Sequence, residues 1–218
     1  MTVKAVLFDL DGTLIDSTEA IVDCFYHTFD VIRAPRPLRE QIVSTISLTL
    51  ENQFATLTDH DPAECARIYR EKYFRIGPAM TTLLEGAASI LERCHVEGVR
   101  TGFVTSKLRA ASELLLENLA VLHYFEARIG PEDVVHPKPH PEPLLKALDH
   151  LNLEPGVAVY LGDTPLDVQA ARAAGIRCAA LTTGYASQEQ LQAENPHMIC
   201  ANLAQAADWL AEIGAWTR

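Results

Sequence analysis

The sequence alternates short strand-like segments with longer helix-like segments, and this alternation restricts the fold more than any other feature. Four strand-like segments each stop at polar residues: Val3–Phe8, Gly98–Val104, Gly156–Leu161 and Ile176–Leu181. Helix-like segments lie between and beside them: Gly86–Cys94, Arg109–Leu119, Pro141–Leu151 and Leu166–Ala174. Buried strands joined by helices of this length favour a parallel sheet with right-handed crossovers. We therefore predict an α/β fold with a doubly wound parallel sheet.

Residues 17–84 interrupt this alternation. Apolar side chains recur there at helical spacing, at Ile21, Cys24, Phe25 and Phe29 and again at Ile68, Tyr69, Tyr73 and Phe74. This periodicity predicts helices, and we expect the aromatic residues among these positions to form their core. The sequence thus predicts an all-helical subdomain at 17–84, inserted into a core domain made of residues 1–16 and 85–218.

Composition limits the partners that this chain can have. Its 218 residues are enough for one α/β domain with a small insert. The 18 basic and 29 acidic residues give a net charge of −11, which argues against nucleic acid or an anionic membrane surface as a partner. A small anionic ligand is still compatible with this net charge, because a bound cation and a few local donors can make the electrostatic potential positive at one site.

The cysteines and the hydropathy of the chain indicate in which cellular compartment we expect the protein. The five cysteines are scattered and form no CxxC pair, so they indicate neither a disulfide framework nor a zinc site. The amino-terminal segment lacks the hydrophobic region of a signal peptide, and no apolar run reaches membrane-spanning length. We therefore expect a cytoplasmic protein with no membrane partner, and the sequence leaves its oligomeric state open.

Polar side chains follow three of the predicted strands at the point where each strand ends. Asp9 and Asp11 follow the first strand, Thr105 and Ser106 the second, and Asp163 the third. Ligands of open parallel sheets bind beyond these carboxyl ends. We therefore expect these side chains to converge in spite of their separation in sequence.

The segment Asp9-Leu10-Asp11-Gly12-Thr13 places two carboxylates two positions apart, directly after a strand. Adjacent residues of an extended chain point to opposite sides, so this offset brings both carboxylates to one side. The first could act as a nucleophile and the second as an acid and base, with a metal ion to neutralise charge. Taken alone, the segment also fits a turn or a calcium-binding loop.

Four motifs occur in order along the chain. They are Asp9-Leu10-Asp11-Gly12-Thr13, Val104-Thr105-Ser106-Lys107, the lysine of His136-Pro137-Lys138-Pro139, and Gly162-Asp163-Thr164-Pro165-Leu166-Asp167. With them the sequence resembles the haloacid dehalogenase-like (HAD) superfamily, on its phosphatase side and closest to the phosphoglycolate phosphatase-like proteins. The resemblance covers essentially the whole chain. It implies a Rossmann-like catalytic core and an all-helical cap, here residues 17–84.

The resemblance implies a role for each acidic residue of the motifs. Asp9 would attack phosphorus to form an aspartyl-phosphate, and Asp11 would protonate the leaving oxygen and later deprotonate the attacking water. Mg²⁺ would be held by the Asp9 side chain, the Asp11 backbone carbonyl and the Asp163 side chain. Asp167 would support these metal ligands.

The resemblance also implies the phosphate-binding residues. Thr105 would hydrogen-bond a phosphate oxygen, the Ser106 backbone N–H would lie nearby, and Lys138 would neutralise charge on Asp9 and the phosphoryl group. In isolation, Thr105 fits a hydroxyl at a strand end and Lys138 a solvated surface lysine. We interpret Lys107 as a neighbour that shapes the loop or stays solvated.

The cap departs from the family pattern at one position that bears on the substrate. Thr45-Ile46-Ser47-Leu48 stands where phosphoglycolate phosphatase-like proteins often have Gly-Leu-Ser/Pro-Leu, so Thr45 replaces a glycine. This departure leaves the native substrate open. Ser47, Thr49 and Arg75 are cap residues that could contact it.

The expected function is Mg²⁺-dependent hydrolysis of a small soluble phosphomonoester similar to phosphoglycolate. Asp11 argues against a dehalogenase, which needs no acid to protonate a leaving halide. A sugar-phosphate mutase of the β-phosphoglucomutase type shares all four motifs and remains an alternative. A non-catalytic binding module on the same sheet is a third reading, which the presence of Asp9, Asp11 and Lys138 disfavours.

Overall fold

A computed structural model of the chain describes residues 2–216. Its strands are β1 (Ala5–Phe8), β2 (Ile15–Asp16), β3 (Thr82–Leu83), β4 (Arg100–Val104), β5 (Ala127–Ile129), β6 (Ala158–Gly162), β7 (Arg177–Leu181) and β8 (Met198–Cys200). Six of them form one sheet in the order β5-β4-β1-β6-β7-β8, and every neighbouring pair in it is parallel. The predicted parallel α/β sheet is confirmed.

Helices cover both faces of this sheet. They are α1 (Thr18–Val31), α2 (Arg39–Val43), α3 (Leu50–Leu57), α4 (Pro62–Met80), α5 (Ala87–Val96), α6 (Arg109–Asn118), α7 (Glu142–His150), α8 (Pro165–Ala174), α9 (Gln188–Ala193) and α10 (Leu203–Glu212). Val6 and Phe8 of β1 pack in one apolar cluster with α5, α6 and α10. Ala5 and Leu7 pack in a second cluster with α7, α8 and α9. Successive strand residues point to opposite faces, so the sheet is doubly wound as predicted.

The register of the central strands places the motif residues at one edge. Phe8, the last residue of β1, is level with Phe103 of β4 and with Leu161 of β6. The residues that follow these strands therefore leave the sheet at nearly the same height. The expected convergence of the strand ends has this register as its structural cause.

Four helices, α1 to α4, lie between β2 and β3. These two short strands pair antiparallel, with Ile15 opposite Leu83, and so bring the two ends of the segment together. The interior of the segment is aromatic: ring centroids lie 4.6 Å apart for Phe25 and Phe54 and 5.4 Å apart for Tyr69 and Tyr73. This all-helical segment is called the cap below, and its exact limits at residues 17 and 84 stay a prediction.

Two strands of the sheet are absent from the sequence prediction. β5 and β8 have three residues each and occupy the two edges of the sheet. A three-residue strand is too short to show a periodic pattern, so pairing with a neighbour is what defines it. In the described part of the chain, none of the helices combines the length and the apolar character that crossing a membrane requires.

Candidate active site

The turn after β1 joins the first motif to the fourth. Gly12 has a φ of +82°, and a Cβ atom at this position would lie 2.5 Å from Asp163 Oδ2, so a glycine is required for both reasons. The Gly12 N–H donates to the Ile15 carbonyl at 2.9 Å, which closes the turn. Thr13 Oγ1 then donates to Asp163 Oδ1 at 3.0 Å. Asp9 and Asp11 lie directly before this turn at the sheet edge.

Asp163 and Asp167 follow β6, and both are fully buried. Asp163 Oδ2 accepts a hydrogen bond from the Tyr185 N–H at 3.0 Å. Asp167 lies in the first turn of α8, where its Oδ2 accepts from the Thr164 N–H at 3.0 Å and from Thr164 Oγ1 at 2.6 Å. A carboxylate in this position satisfies otherwise free N–H groups and the positive end of the helix dipole.

Lys138 holds two of these carboxylates together from a buried position. Its Nζ lies 2.6 Å from Asp167 Oδ1 and 3.2 Å from Asp9 Oδ2, and it donates to the Tyr160 hydroxyl at 3.1 Å. Burial alone would lower the pKa of this ammonium group, but the charges of Asp167 and Asp9 outweigh burial and raise the pKa. Burial acts to raise the pKa of Asp167, yet Lys138 and the hydrogen bonds to Asp167 lower it overall. The solvated surface lysine considered for this position is therefore excluded.

The carboxylates of Asp9, Asp163 and Asp167 lie close together, and the positive charge of Lys138 lies beside two of them. Oxygen atoms of Asp9, Asp163 and Asp167 all lie within 4.8 Å of one another. Burial raises the pKa of Asp9 to about 7, against the charge of Lys138, and burial raises the pKa of Asp163 well above its usual range. Such raised values indicate a buried site that lacks positive charge. An all-oxygen donor set with excess negative charge fits a hard divalent cation such as Mg²⁺.

Asp167 accepts four hydrogen bonds, one of them from a lysine, whereas Asp163 accepts one at each oxygen, from Thr13 and Tyr185. Both of its oxygens accept hydrogen bonds from the chain, at Oδ1 from Lys138 and Tyr160 and at Oδ2 from Thr164. Oxygen atoms that each accept two donors, as both Asp167 oxygens do, are poorly placed to bind a metal ion directly. This supports the expected role of Asp167 as a residue that orients the ligands, which stays a prediction.

Asp11 faces Lys107 and lies outside the three-carboxylate group. Lys107 Nζ lies 3.1 Å from Asp11 Oδ2, and Ser17 Oγ donates to Asp11 Oδ1. The Lys107 side chain is 11% exposed, and its Nζ also donates to the Tyr73 hydroxyl of the cap at 2.9 Å. Burial acts to lower the pKa of Lys107, but Asp11 and Tyr73 raise it overall. Of the two readings given for Lys107, the solvated lysine is excluded, and Lys107 connects Asp11 to the cap.

Thr105 and Ser106, at the carboxyl end of β4, line the same cavity as the two aspartates of the first motif. Thr105 is buried, and its Oγ1 accepts a hydrogen bond from the Lys107 N–H at 3.2 Å. Ser106 Oγ donates to the Ser47 carbonyl of the cap at 2.9 Å. The side chain of Ser106 thus bonds to the cap, while Thr105 stays within the core.

A cavity of about 300 Å³ lies between this edge of the sheet and the cap. The cap lines it mainly with apolar and aromatic side chains, namely Ile21, Ile46, Leu48, Leu50, Tyr69, Tyr73 and Phe74. Of the three expected cap contacts, Ser47 is among the lining residues. Thr49 instead precedes α3 as its N-cap residue, and Arg75 is exposed on α4.

Three lining residues, Arg70, Lys107 and Tyr185, have positions that sequence reasoning missed or misjudged. Tyr185 follows the end of β7 and also lies 3.1 Å from Thr18 Oγ1 through its hydroxyl. The sequence predicts a fourth strand at Ile176–Leu181. Had its carboxyl end been counted among those expected to converge, Tyr185 would have been identified. Arg70 has no comparable signal, because its helix carries two other arginines, Arg67 and Arg75.

A parallel sheet with a helical cap after its first strand, and with carboxylates and a lysine at its strand ends, defines a class of cap-bearing α/β hydrolases. A family profile described as haloacid dehalogenase-like hydrolase matches residues 6–181. The chain belongs to this family of haloacid dehalogenase-like hydrolases. Mg²⁺ is the cofactor that phosphatases of the family use, and the buried group of Asp9, Asp163 and Asp167 fits this ion.

Individual relatives cover nearly all of the chain. It is 31% identical over 196 residues to pyrophosphatase PpaX of Bacillus cereus, across 90% of this chain and 91% of the relative. A haloacid dehalogenase-like family hydrolase from Streptococcus pneumoniae superposes with a TM-score of 0.86 at 29% identity, across 95% of this chain and 98% of the other. A protein from Haemophilus somnus described as a predicted phosphoglycolate phosphatase shares the fold, with a TM-score of 0.89 at 21% identity, across 96% and 98% of the two chains.

Proposed function

We propose that this chain is a phosphatase that hydrolyses a small phosphomonoester, similar to phosphoglycolate, through an aspartyl-phosphate intermediate on Asp9. The observation that carries the proposal is the setting of Asp9, which lines the cavity and has its Oδ2 3.2 Å from Lys138 Nζ. A nucleophilic carboxylate must be ionised, and burial by itself raises the pKa of Asp9. Lys138 and a bound cation both favour the ionised form.

Asp11 is the proposed general acid and base. In the first step an Asp9 oxygen bonds to phosphorus, the bond from phosphorus to the leaving oxygen breaks, and that oxygen takes the proton of Asp11. In the second step Asp11 takes a proton from the water that attacks phosphorus, which releases inorganic phosphate and restores Asp9. Ser17 and Lys107 fix the Asp11 carboxyl in one orientation.

Thr105, Ser106 and Lys138 are the proposed ligands of the transferring phosphoryl group. The Thr105 hydroxyl accepts from the Lys107 N–H, which leaves its own proton for a phosphate oxygen. The Ser106 hydroxyl donates to the cap, so its backbone N–H is the group offered to phosphate. Asp9, Asp163 and the Asp11 carbonyl would hold Mg²⁺, which would neutralise charge on the phosphate and orient it.

The cavity favours a small substrate. Its volume of about 300 Å³ is at the lower end of the usual range for ligand pockets. Inorganic pyrophosphate is a second candidate, which the 31% identity to a pyrophosphatase favours. A mutase would have to hold a sugar bisphosphate, which is larger than phosphoglycolate or pyrophosphate, and the small volume of the cavity argues against it.

Phosphate release tests the proposal. We expect the wild-type chain with Mg²⁺ to release phosphate from at least one of phosphoglycolate, pyrophosphate and p-nitrophenyl phosphate, and to release none in EDTA. Asp9→Asn should abolish release, whereas Asp149→Asn, an exposed aspartate on α7, should leave it unchanged. Release that survives Asp9→Asn would contradict the covalent mechanism. Phosphoryl movement within a sugar phosphate, without release, would establish the mutase instead.

A further inference from the structure

The charged side chains that line the cavity are mostly acidic. Among the described residues they are Asp9, Asp11, Glu51, Arg70, Lys107 and Glu132. A phosphorylated substrate brings further negative charge, so the positive groups among them decide what can bind. Lys107 is already held by Asp11 and Tyr73. Arg70, on the cap helix α4, is therefore the lining cation with capacity for a ligand.

Arg70 has a donor that the protein does not use. Its Nη2 donates to Glu51 Oε1 at 2.6 Å, while its Nε is buried without a hydrogen-bond partner among residues 2–216. Its side chain is 29% exposed and lines the cavity, and Glu51 binds the guanidinium through one of its donors. Buried donors in folded proteins are almost always paired, so the unpaired Nε marks a guanidinium whose donors the described residues do not all use.

The residues around Arg70 indicate what kind of acceptor its remaining donors suit. The neighbouring cap residues in the lining, such as Leu50, Tyr69 and Phe74, offer little to a polar uncharged ligand. A guanidinium presents a rigid fork of donors that matches the two oxygens of a carboxylate or a phosphate. In an apolar wall this pairing is stronger than in water, because the effective dielectric constant is lower.

We propose that Arg70 is the specificity-determining residue of the cap and that it binds a second anionic group, carboxylate or phosphate, on the leaving-group side of the substrate. The inference rests on the proposed phosphatase function and narrows its substrate class to small compounds with a phosphoryl group and a second oxyanion. Thr105, Ser106 and Lys138 hold the phosphoryl end from the sheet, and Arg70 holds the other end from the cap. Phosphate esters with an uncharged leaving group lack the group that Arg70 binds.

Steady-state kinetics on three substrates tests this assignment. Phosphoglycolate carries a carboxylate, pyrophosphate a second phosphate, and p-nitrophenyl phosphate neither. We expect Arg70→Gln to raise the KM for the doubly anionic substrate by about tenfold or more relative to its effect on p-nitrophenyl phosphate, with a smaller change in kcat. Which of the two anionic substrates shows the effect identifies the second group as carboxylate or phosphate.

Two further variants separate binding from stability. Glu51→Gln removes the charge that competes for Arg70 while keeping an oxygen acceptor, so it should lower the KM for the same substrate. Arg75→Gln changes an exposed arginine of the same helix outside the cavity lining and should leave all three KM values unchanged. Opposite shifts in KM from Arg70→Gln and Glu51→Gln cannot come from a loss of stability, which would act in one direction.

The outcomes distinguish this inference from the function on which it rests. If wild type hydrolyses none of the three substrates, the phosphatase proposal fails and the role of Arg70 fails with it. If wild type is active but Arg70→Gln raises all three KM values equally, or changes none, then only the role of Arg70 is overturned. A higher KM for the doubly anionic substrate in Glu51→Gln would also overturn it.

Discussion

The sheet edge and the cap meet at one cavity, yet the sheet edge presents charged side chains and the cap mainly apolar ones. At the sheet edge, buried carboxylates and Lys138 form a network in which Thr13, Thr164 and Tyr160 supply hydrogen bonds. The cap has an aromatic interior and an apolar cavity wall. Few polar contacts join the two regions. They include Ser106 to Ser47, Lys107 to Tyr73, and Thr18 to Tyr185.

Under the proposed function, the sheet edge carries out the phosphoryl transfer and the cap selects the substrate. Charge on phosphorus and on the leaving oxygen has to be stabilised by groups fixed in advance, and the buried network of the sheet edge is fixed by its own hydrogen bonds. A cap held by aromatic packing and a few polar contacts can change its wall residues without disturbing that network. Relatives with other substrates can therefore share the sheet edge and differ in the cap.

The largest expected effect comes from removing the cation of the network. Lys138→Met leaves Asp9 and Asp167 buried without it, and we expect a loss of about 3–5 kcal/mol in the free energy of unfolding in EDTA, together with loss of phosphate release. Lys138 lowers the pKa of Asp167, so its stabilisation is present above the unfolded pKa near 3.8 and disappears as pH falls through the lower folded value. The loss in Lys138→Met should therefore be larger at pH 7 than at pH 3.5.

Urea denaturation at both pH values measures this difference. Lys4→Met, an exposed lysine before β1, is the control and should change little at either pH. An equal loss for Lys138→Met at pH 7 and pH 3.5 would show that packing of the lysine stem, and not its charge, supports the network.

Truncation of the aromatic core should destabilise the cap and leave the sheet edge folded. Phe54 is fully buried and packs against Phe25, Phe29 and Tyr69. Phe54→Ala should cost about 3–5 kcal/mol locally, and Phe54→Leu about 1 kcal/mol. Hydrogen exchange should show faster exchange in α1 and α4 of Phe54→Ala, with protection in β1 and β6 retained. Equal loss of protection in both regions would mean that cap and core unfold as one unit.

The smallest expected effect concerns the contact between the two regions. Tyr73→Phe keeps the ring that packs on Tyr69 but removes the hydroxyl that accepts from Lys107 Nζ at 2.9 Å. A double-mutant cycle of Tyr73→Phe with Lys107→Met should give a coupling of about 1 kcal/mol in unfolding free energy. A coupling indistinguishable from zero would show that the Tyr73 hydroxyl adds nothing to the contact between Lys107 and the cap, which would then rest on the ring beneath Nζ.

The long, patterned elements of this protein were predictable from the sequence. The strands β1, β4, β6 and β7 and the helices between them follow from apolar segments that stop at polar residues, and the helical cap follows from its apolar spacing. The ends of parallel strands share one edge, which predicts that Asp9, Asp11, Thr105, Ser106 and Asp163 lie together, whereas Lys138 and Asp167 were identified through the family resemblance. Lys138 is brought to that edge together with Asp9 and Asp167. The individual roles of these residues remain predictions.

Only the tertiary structure decided features that depend on partners distant in sequence. The edge strands β5 and β8 exist because a neighbour supplies their hydrogen bonds. Lys107 is half-buried because Asp11 and Tyr73 approach it from the core and from the cap. Arg70 differs from Arg75 five residues away because one side of α4 faces the cavity. A local sequence pattern records which residues are apolar or charged, whereas burial and pairing of a charge depend on what the fold places against it.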